Sequence, residues 1–109
     1  MGFANAGMRN AVRGLKFAMA WGIATAELGR EPENIEEYAD VLEESRATAF
    51  RDQQAFRKAF PTEMSPARMN EVSGMQKRYE ELVRTLRNSK RASLQAQPLM
   101  YSLGAAPAD

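Results

Sequence analysis

At 109 residues, 44% hydrophobic and 27% charged, the chain suits one small domain with a modest core, burying about 60 to 70% of the surface an unfolded chain would expose. It has no Cys and no His, which excludes disulfides, zinc fingers, thiol nucleophiles and imidazole bases or ligands. The net charge of +1 hides a sorting along the chain: residues 31–44 hold seven acids and no base, whereas residues 45–60 hold Arg46, Arg51, Arg57 and Lys58 against Asp52 alone.

The predicted elements are all helical, and no segment alternates apolar and polar residues as a strand would. Residues 6–28 form a first helix in which Val12, Leu15, Met19, Ile23 and Ala26 recur at three-and-four spacing, with Trp21 and Leu28 beside them. Its apolar run at 17–26 is too short to span a bilayer and lacks a signal peptide's position and cleavage pattern, so a soluble, cytoplasmic protein is expected. Gly29 ends the helix and Pro32 blocks its continuation. Asn34 is a good N-cap and Glu37, three residues later, completes a capping box, so a second helix covers residues 35–44. Ser45 caps a third over residues 46–60, which Pro61 closes by lacking an amide hydrogen. Ser65-Pro66, a cap followed by Pro at the first helical position, opens a long fourth helix over residues 66–92. Residues 1–92 thus make a single domain, and residues 93–109, ending in Gly, Ala and Pro, make a flexible tail.

Two short helices joined by a tight turn must cross steeply, and the residues of 34–61 carry a resemblance. Ala39, Ser45, Arg46, Ala47, Thr48, Ala49, Phe50 and Arg51 match a pattern of a small residue in one helix, a Ser opening the turn, then Arg, small, Thr, apolar, aromatic, Arg. That pattern resembles the helix-turn-helix of small repressors of phage and actinobacterial type and of recombinase-type DNA-binding domains. Upstream, the Gly29-Arg30-Glu31-Pro32 stretch resembles the entry to a helix-turn-helix in sigma factors. The resemblance covers about thirty residues and implies a class, an all-α trihelical helix-turn-helix core with a long C-terminal helix. Glu43 and Glu44 depart from it, standing where such motifs hold Gly and an apolar residue.

Within the third helix, Ala49, Gln53, Phe56 and Phe60 make one stripe, and Ala47, Arg51, Gln54 and Lys58 make another on the opposite side. The first is expected to pack and the second to read base edges, since Arg donates two hydrogen bonds to guanine and Gln pairs with adenine in the major groove. Ser45 and Thr48 at the helix start suit phosphate oxygens, and Arg46, Arg57 and Lys58 extend the basic surface. The expected DNA-contacting set is Ser45, Arg46, Ala47, Thr48, Arg51, Gln54, Arg57 and Lys58. In the fourth helix Val72, Met75, Tyr79, Leu82 and Leu86 recur at 3, 4, 3, 4, the spacing of a two-stranded seam, so the helix either closes the core or pairs with another copy; its length of about 40 Å, more than a small core needs, favours a homodimer.

Catalysis is not expected. Glu43-Glu44 and Glu80-Glu81 are adjacent pairs that point to different sides of a helix, there is no Gly-rich phosphate loop, and no Ser has a His to activate it. No cofactor or metal is expected either. The function expected is sequence-specific binding of double-stranded DNA as a small transcriptional regulator. The competing expectation is a helical module that binds RNA polymerase or another protein through the acidic helix 34–44 and the C-terminal helix.

Overall fold

The computed structural model describes residues 6–100, with side chains described for residues 6–92. Among these residues every regular element is an α-helix: α1 Ala6–Leu28, α2 Ile35–Leu42, α3 Arg46–Ala59, α4 Pro66–Ser73 and α5 Met75–Met100. Local chemistry accounts for the ends. The Asn34 side chain accepts from the Glu37 amide at 2.8 Å to start α2, and Ser45 and Ser65 cap α3 and α4 through the amides of Thr48 and Arg68 at 3.1 and 3.0 Å. Gly29, at φ +78°, closes α1 in the left-handed region where Gly carries no steric penalty.

α1 is the spine, packing against each of the other four helices. The face it buries differs from the stripe that identifies it in the sequence. Val12, Leu15 and Met19 stay 45 to 50% exposed, and the buried residues are Gly14, Phe17, Ala18, Gly22 and Ala24. Small residues decide this, because they let partner helices approach the α1 backbone. A Cβ built on Gly14 would stand 2.9 Å from the Phe56 Cα of α3, and one on Gly22 would stand 2.5 Å from the Tyr79 ring of α5. Between them sits an aromatic cluster centred on Phe17, whose ring centroid lies 4.9 Å from Tyr38, 5.6 Å from Trp21 and 6.0 Å from Phe56. Ala39 and Ala49, both fully buried, complete this core from α2 and α3.

The long fourth helix expected over 66–92 is two helices. Gly74, at φ +73°, caps α4, its amide donating to the carbonyls of Asn70 and Glu71, and α5 starts afresh at Met75. A Gly just past a helical stretch is itself a stop signal, here masked by the regular apolar spacing across it. The break lets α4 and α5 meet α1 separately around Gly22. The buried Asn70 amide donates to the Ala18 carbonyl at 2.8 Å, and Gln76 donates to the Gly22 carbonyl at 3.3 Å. α5 continues to Met100, into the stretch expected as tail, and residues 101–109 of that expected tail lie outside the described residues.

Candidate nucleic-acid interface

The path from α2 to α3 takes three residues. Glu43 adopts the left-handed conformation, φ 56° and ψ 43°, and its amide and that of Glu44 return to the carbonyls of Asp40 and Ala39 at 3.2 and 2.9 Å. The turn therefore uses the backbone geometry that Gly usually supplies, built with a residue whose Cβ makes it cost about 1 to 2 kcal/mol. Strain of this kind persists only where the surroundings hold it, and here Ala39 on one side and Ala49 on the other are locked in the core.

α3 leaves that turn with one face inside and one out. Ala49, Ala55 and Phe56 are buried, and at 3.6 residues per turn Arg46, Ala47, Phe50, Arg51, Gln54, Arg57 and Lys58 fall within about 140° on the far side. Six of these are exposed and Gln54 is half-buried. Asp52, the one acid of α3, sits on neither edge of this face. Its side chain is only 18% exposed and pairs with Arg13 of α1 at 3.4 Å. The outward surface of α3 thus carries four bases and no acid. Ser45 and Thr48 stand at its start, where the Ser45 hydroxyl donates to the Thr48 hydroxyl at 2.9 Å while capping the helix. Thr48, though exposed, lies about 60° outside the arc of the outward face.

Two features of this surface escape the sequence reading. Phe50, 53% exposed, lies in the middle of the basic face, which its spacing from Ala47 and Gln54 would have revealed. The withdrawal of Asp52 depends on Arg13, 39 positions away, and no local signal announces it.

The acidic stretch is partly consumed by structure. Glu37 takes a two-pronged contact from Arg30 at 2.8 and 2.6 Å and accepts the Glu33 amide at 2.7 Å; the Arg30 hydrogen bonds, with that amide, hold its carboxyl far below the usual carboxylate range, at about 2. Glu31 accepts the Trp21 indole N–H at 2.9 Å. Glu36, Asp40, Glu43 and Glu44 remain exposed, and partial desolvation, followed by the charge of Asp52, raises the Glu44 carboxyl above its ordinary value. Beneath them the Tyr38 hydroxyl is buried with no hydrogen-bond partner among the described residues, and burial, followed by the charges of Glu44 and Asp52, pushes its ionisation upward.

The five residues expected along a dimer seam do not share one face of one helix. Val72 belongs to α4 and the others to α5. Tyr79 is 5% exposed and packs on Gly22 of its own chain, with Val83 as its buried neighbour one turn on. Met75 is half-buried, and Val72, Leu82 and Leu86 are 48 to 59% exposed. At the far end of the α1 contact Arg87 pairs with Glu27 at 3.4 Å and donates to the Glu27 carbonyl, a favourable place for a cation at a helix C-terminus.

Among the described residues no group of three or more acidic side chains converges as a metal site, and no helix is long and apolar enough to cross a membrane. Compared with known proteins, the chain matches no family model, no curated protein and no solved structure.

Proposed function

We propose that the chain is a cytoplasmic, sequence-specific double-stranded DNA-binding regulator of transcription that lays α3 in the major groove. The observation that carries this reading is the outward face of α3, where Arg46, Arg51, Arg57 and Lys58 surround Gln54 and the only acid is drawn back onto Arg13. Bases of this type serve DNA in two ways: Arg and Gln match the donor and acceptor patterns of guanine and adenine edges, and the remaining cations neutralise phosphates. The short α2, the left-handed Glu43 and the Ser45 cap support a helix-turn-helix, in which the N-terminal residues of the second helix contact base edges. The regulator works as a homodimer in this reading, with Leu82 and Leu86 in its interface and Tyr79 kept for the chain's own core.

The test is selection of duplexes from a random pool by the purified full chain, followed by titrations at several salt concentrations. One enriched motif is expected, with affinity falling about 10³- to 10⁵-fold between 50 and 200 mM salt if two protomers make roughly six to ten phosphate contacts. No duplex binding at 50 mM salt overturns the reading. The exposed Glu36, Asp40, Glu43 and Glu44 favour the second reading, a module that docks a basic protein surface through α2. Under it, neutralising these acids abolishes function and leaves any DNA affinity intact.

A further inference from the structure

Phe50 is the one large apolar side chain on the outward face of α3, and it is 53% exposed there. Leaving an aromatic ring half in water forfeits burial that the helix obtains from Phe56 and Phe60, both packed in or against the core. The ring stacks on none of the other described aromatic rings, and Ala at this position would favour the helix more. Its neighbours one turn away are Ala47 and Gln54, with Arg46 and Arg51 beside them. Four of these five positions suit hydrogen bonding or close approach to base edges, and the fifth is a bare hydrocarbon.

The major-groove edges of the bases offer one apolar group, the 5-methyl of thymine, and apolar side chains such as Phe and Ala recognise it by contact. We propose that Phe50 is a specificity-determining residue that reads a thymine through that methyl group, with the small Ala47 giving the base pair room to approach. The inference rests on the DNA reading of α3. It adds a demand that charge does not make: a T·A pair at the centre of the half-site, flanked by the pairs that Arg46, Arg51 and Gln54 contact. Arg46 and Gln54 are eight residues apart, roughly 12 Å along the helix, or about three to four base-pair steps at 3.4 Å each.

The test uses the full chain and the duplex it selects. Each thymine of that duplex is replaced in turn by deoxyuridine, which removes the methyl and leaves every hydrogen-bonding group. Wild type is expected to lose about fourfold in affinity at one thymine of each half-site, the worth of one methyl group taken out of water. In Phe50→Ala that penalty disappears, and Phe50→Leu retains part of it. Thermal melts of both variants verify that they fold, as the exposure of the residue predicts. Binding of the selected duplex by wild type with no uracil penalty at any thymine, or a penalty that survives in Phe50→Ala, overturns the assignment of Phe50 and leaves the DNA reading standing. Failure of wild type to bind any duplex at 50 mM salt removes both.

Discussion

Replacing Gly14 with Ala sets two calculable effects against each other. Position 14 is inside α1, where Ala is favoured over Gly by about 1 kcal/mol because Gly loses more backbone freedom on folding. Packing opposes that gain. The new Cβ would lie 2.9 Å from the Phe56 Cα, 3.1 Å from the Phe60 ring and 3.3 Å from the Phe56 amide nitrogen. Carbon atoms prefer about 3.5 to 4.0 Å, so something must retreat by roughly 0.6 to 1 Å. The Phe60 ring can swing aside. The Phe56 backbone cannot, and moving it shifts α3 together with the stacking of Phe56 on Phe17 and Phe60. Overpacking of this kind costs about 1 to 3 kcal/mol, so packing outweighs propensity and a net loss of about 1 kcal/mol is expected. For a domain of this size that lowers the melting temperature by about 4 to 8 °C, measured by circular dichroism with urea titration alongside. DNA affinity should fall as well, because α3 is re-aimed. Gly29→Ala is the contrast: nothing stands within 4 Å of its Cβ, so it carries only the left-handed backbone penalty and leaves affinity unchanged. A higher melting temperature for Gly14→Ala would refute the argument that close approach, not helix propensity, sets this residue.

In α3, Arg51→Ala should cost about 1 to 3 kcal/mol at the selected site and relax preference at one base pair, whereas Lys58→Ala should weaken all sequences equally and flatten the salt dependence. Unchanged selection profiles for Arg51→Ala and Gln54→Ala would sink the base-reading assignment. Leu86→Asp, on an exposed face of α5, should convert a dimer to a folded monomer, while Tyr79→Asp should unfold the chain by placing a charge in its own core; a wild-type monomer in sedimentation at tens of micromolar removes the homodimer. The Glu37 carboxyl is held at about 2 in the fold against an ordinary value of 4.5, so its contribution is present above pH 4.5 and is lost as pH falls from there toward 2. Glu37→Gln should therefore be less stable at neutral pH and show a shallower loss of melting temperature over that window; parallel profiles for the two proteins would contradict the Arg30 contact.

How much of this was legible in the sequence follows from where each signal lies. Helix ends at Asn34, Ser45, Ser65 and Gly29 are written in single residues acting on their own backbone, and the structure has caps at all four. The buried face of α1 is different in kind. The run from Phe17 to Ala26 is apolar nearly all round, so a three-and-four stripe through Val12, Leu15 and Met19 exists beside the one through Phe17, Trp21 and Ala24, and periodicity cannot choose. The choice belongs to Gly14 and Gly22, which matter only because Phe56 and Tyr79, about 40 and 57 positions on, come to rest against them. Gly74 is itself a stop signal, but the 3, 4, 3, 4 spacing from Val72 to Leu86 spans it and puts Tyr79 on a seam, whereas its ring fills the space over Gly22. On α3 the split between packing and outward stripes was readable because both ends of the helix are capped and its two faces differ in polarity. The isolation of its cations from any acid was not, since it needs Arg13.

If the chain binds DNA as proposed, the opposed charges around α2 and α3 favour one docking geometry for a chain of net charge +1. Seen from beyond a Debye length, about 8 Å at physiological salt, the exposed acids of α2 and the bases of α3 largely cancel, so little long-range attraction to DNA is available. At contact the cancellation ends. An approach that places α2 and the turn after it against phosphate meets Glu36, Asp40, Glu43 and Glu44, whereas the outward face of α3 itself offers four cations, the acid of that helix, Asp52, being paired with Arg13. Under the proposed DNA reading, charge in this arrangement excludes orientations more than it adds affinity, and discrimination among sequences would fall to the short-range contacts of Arg46, Phe50, Arg51 and Gln54.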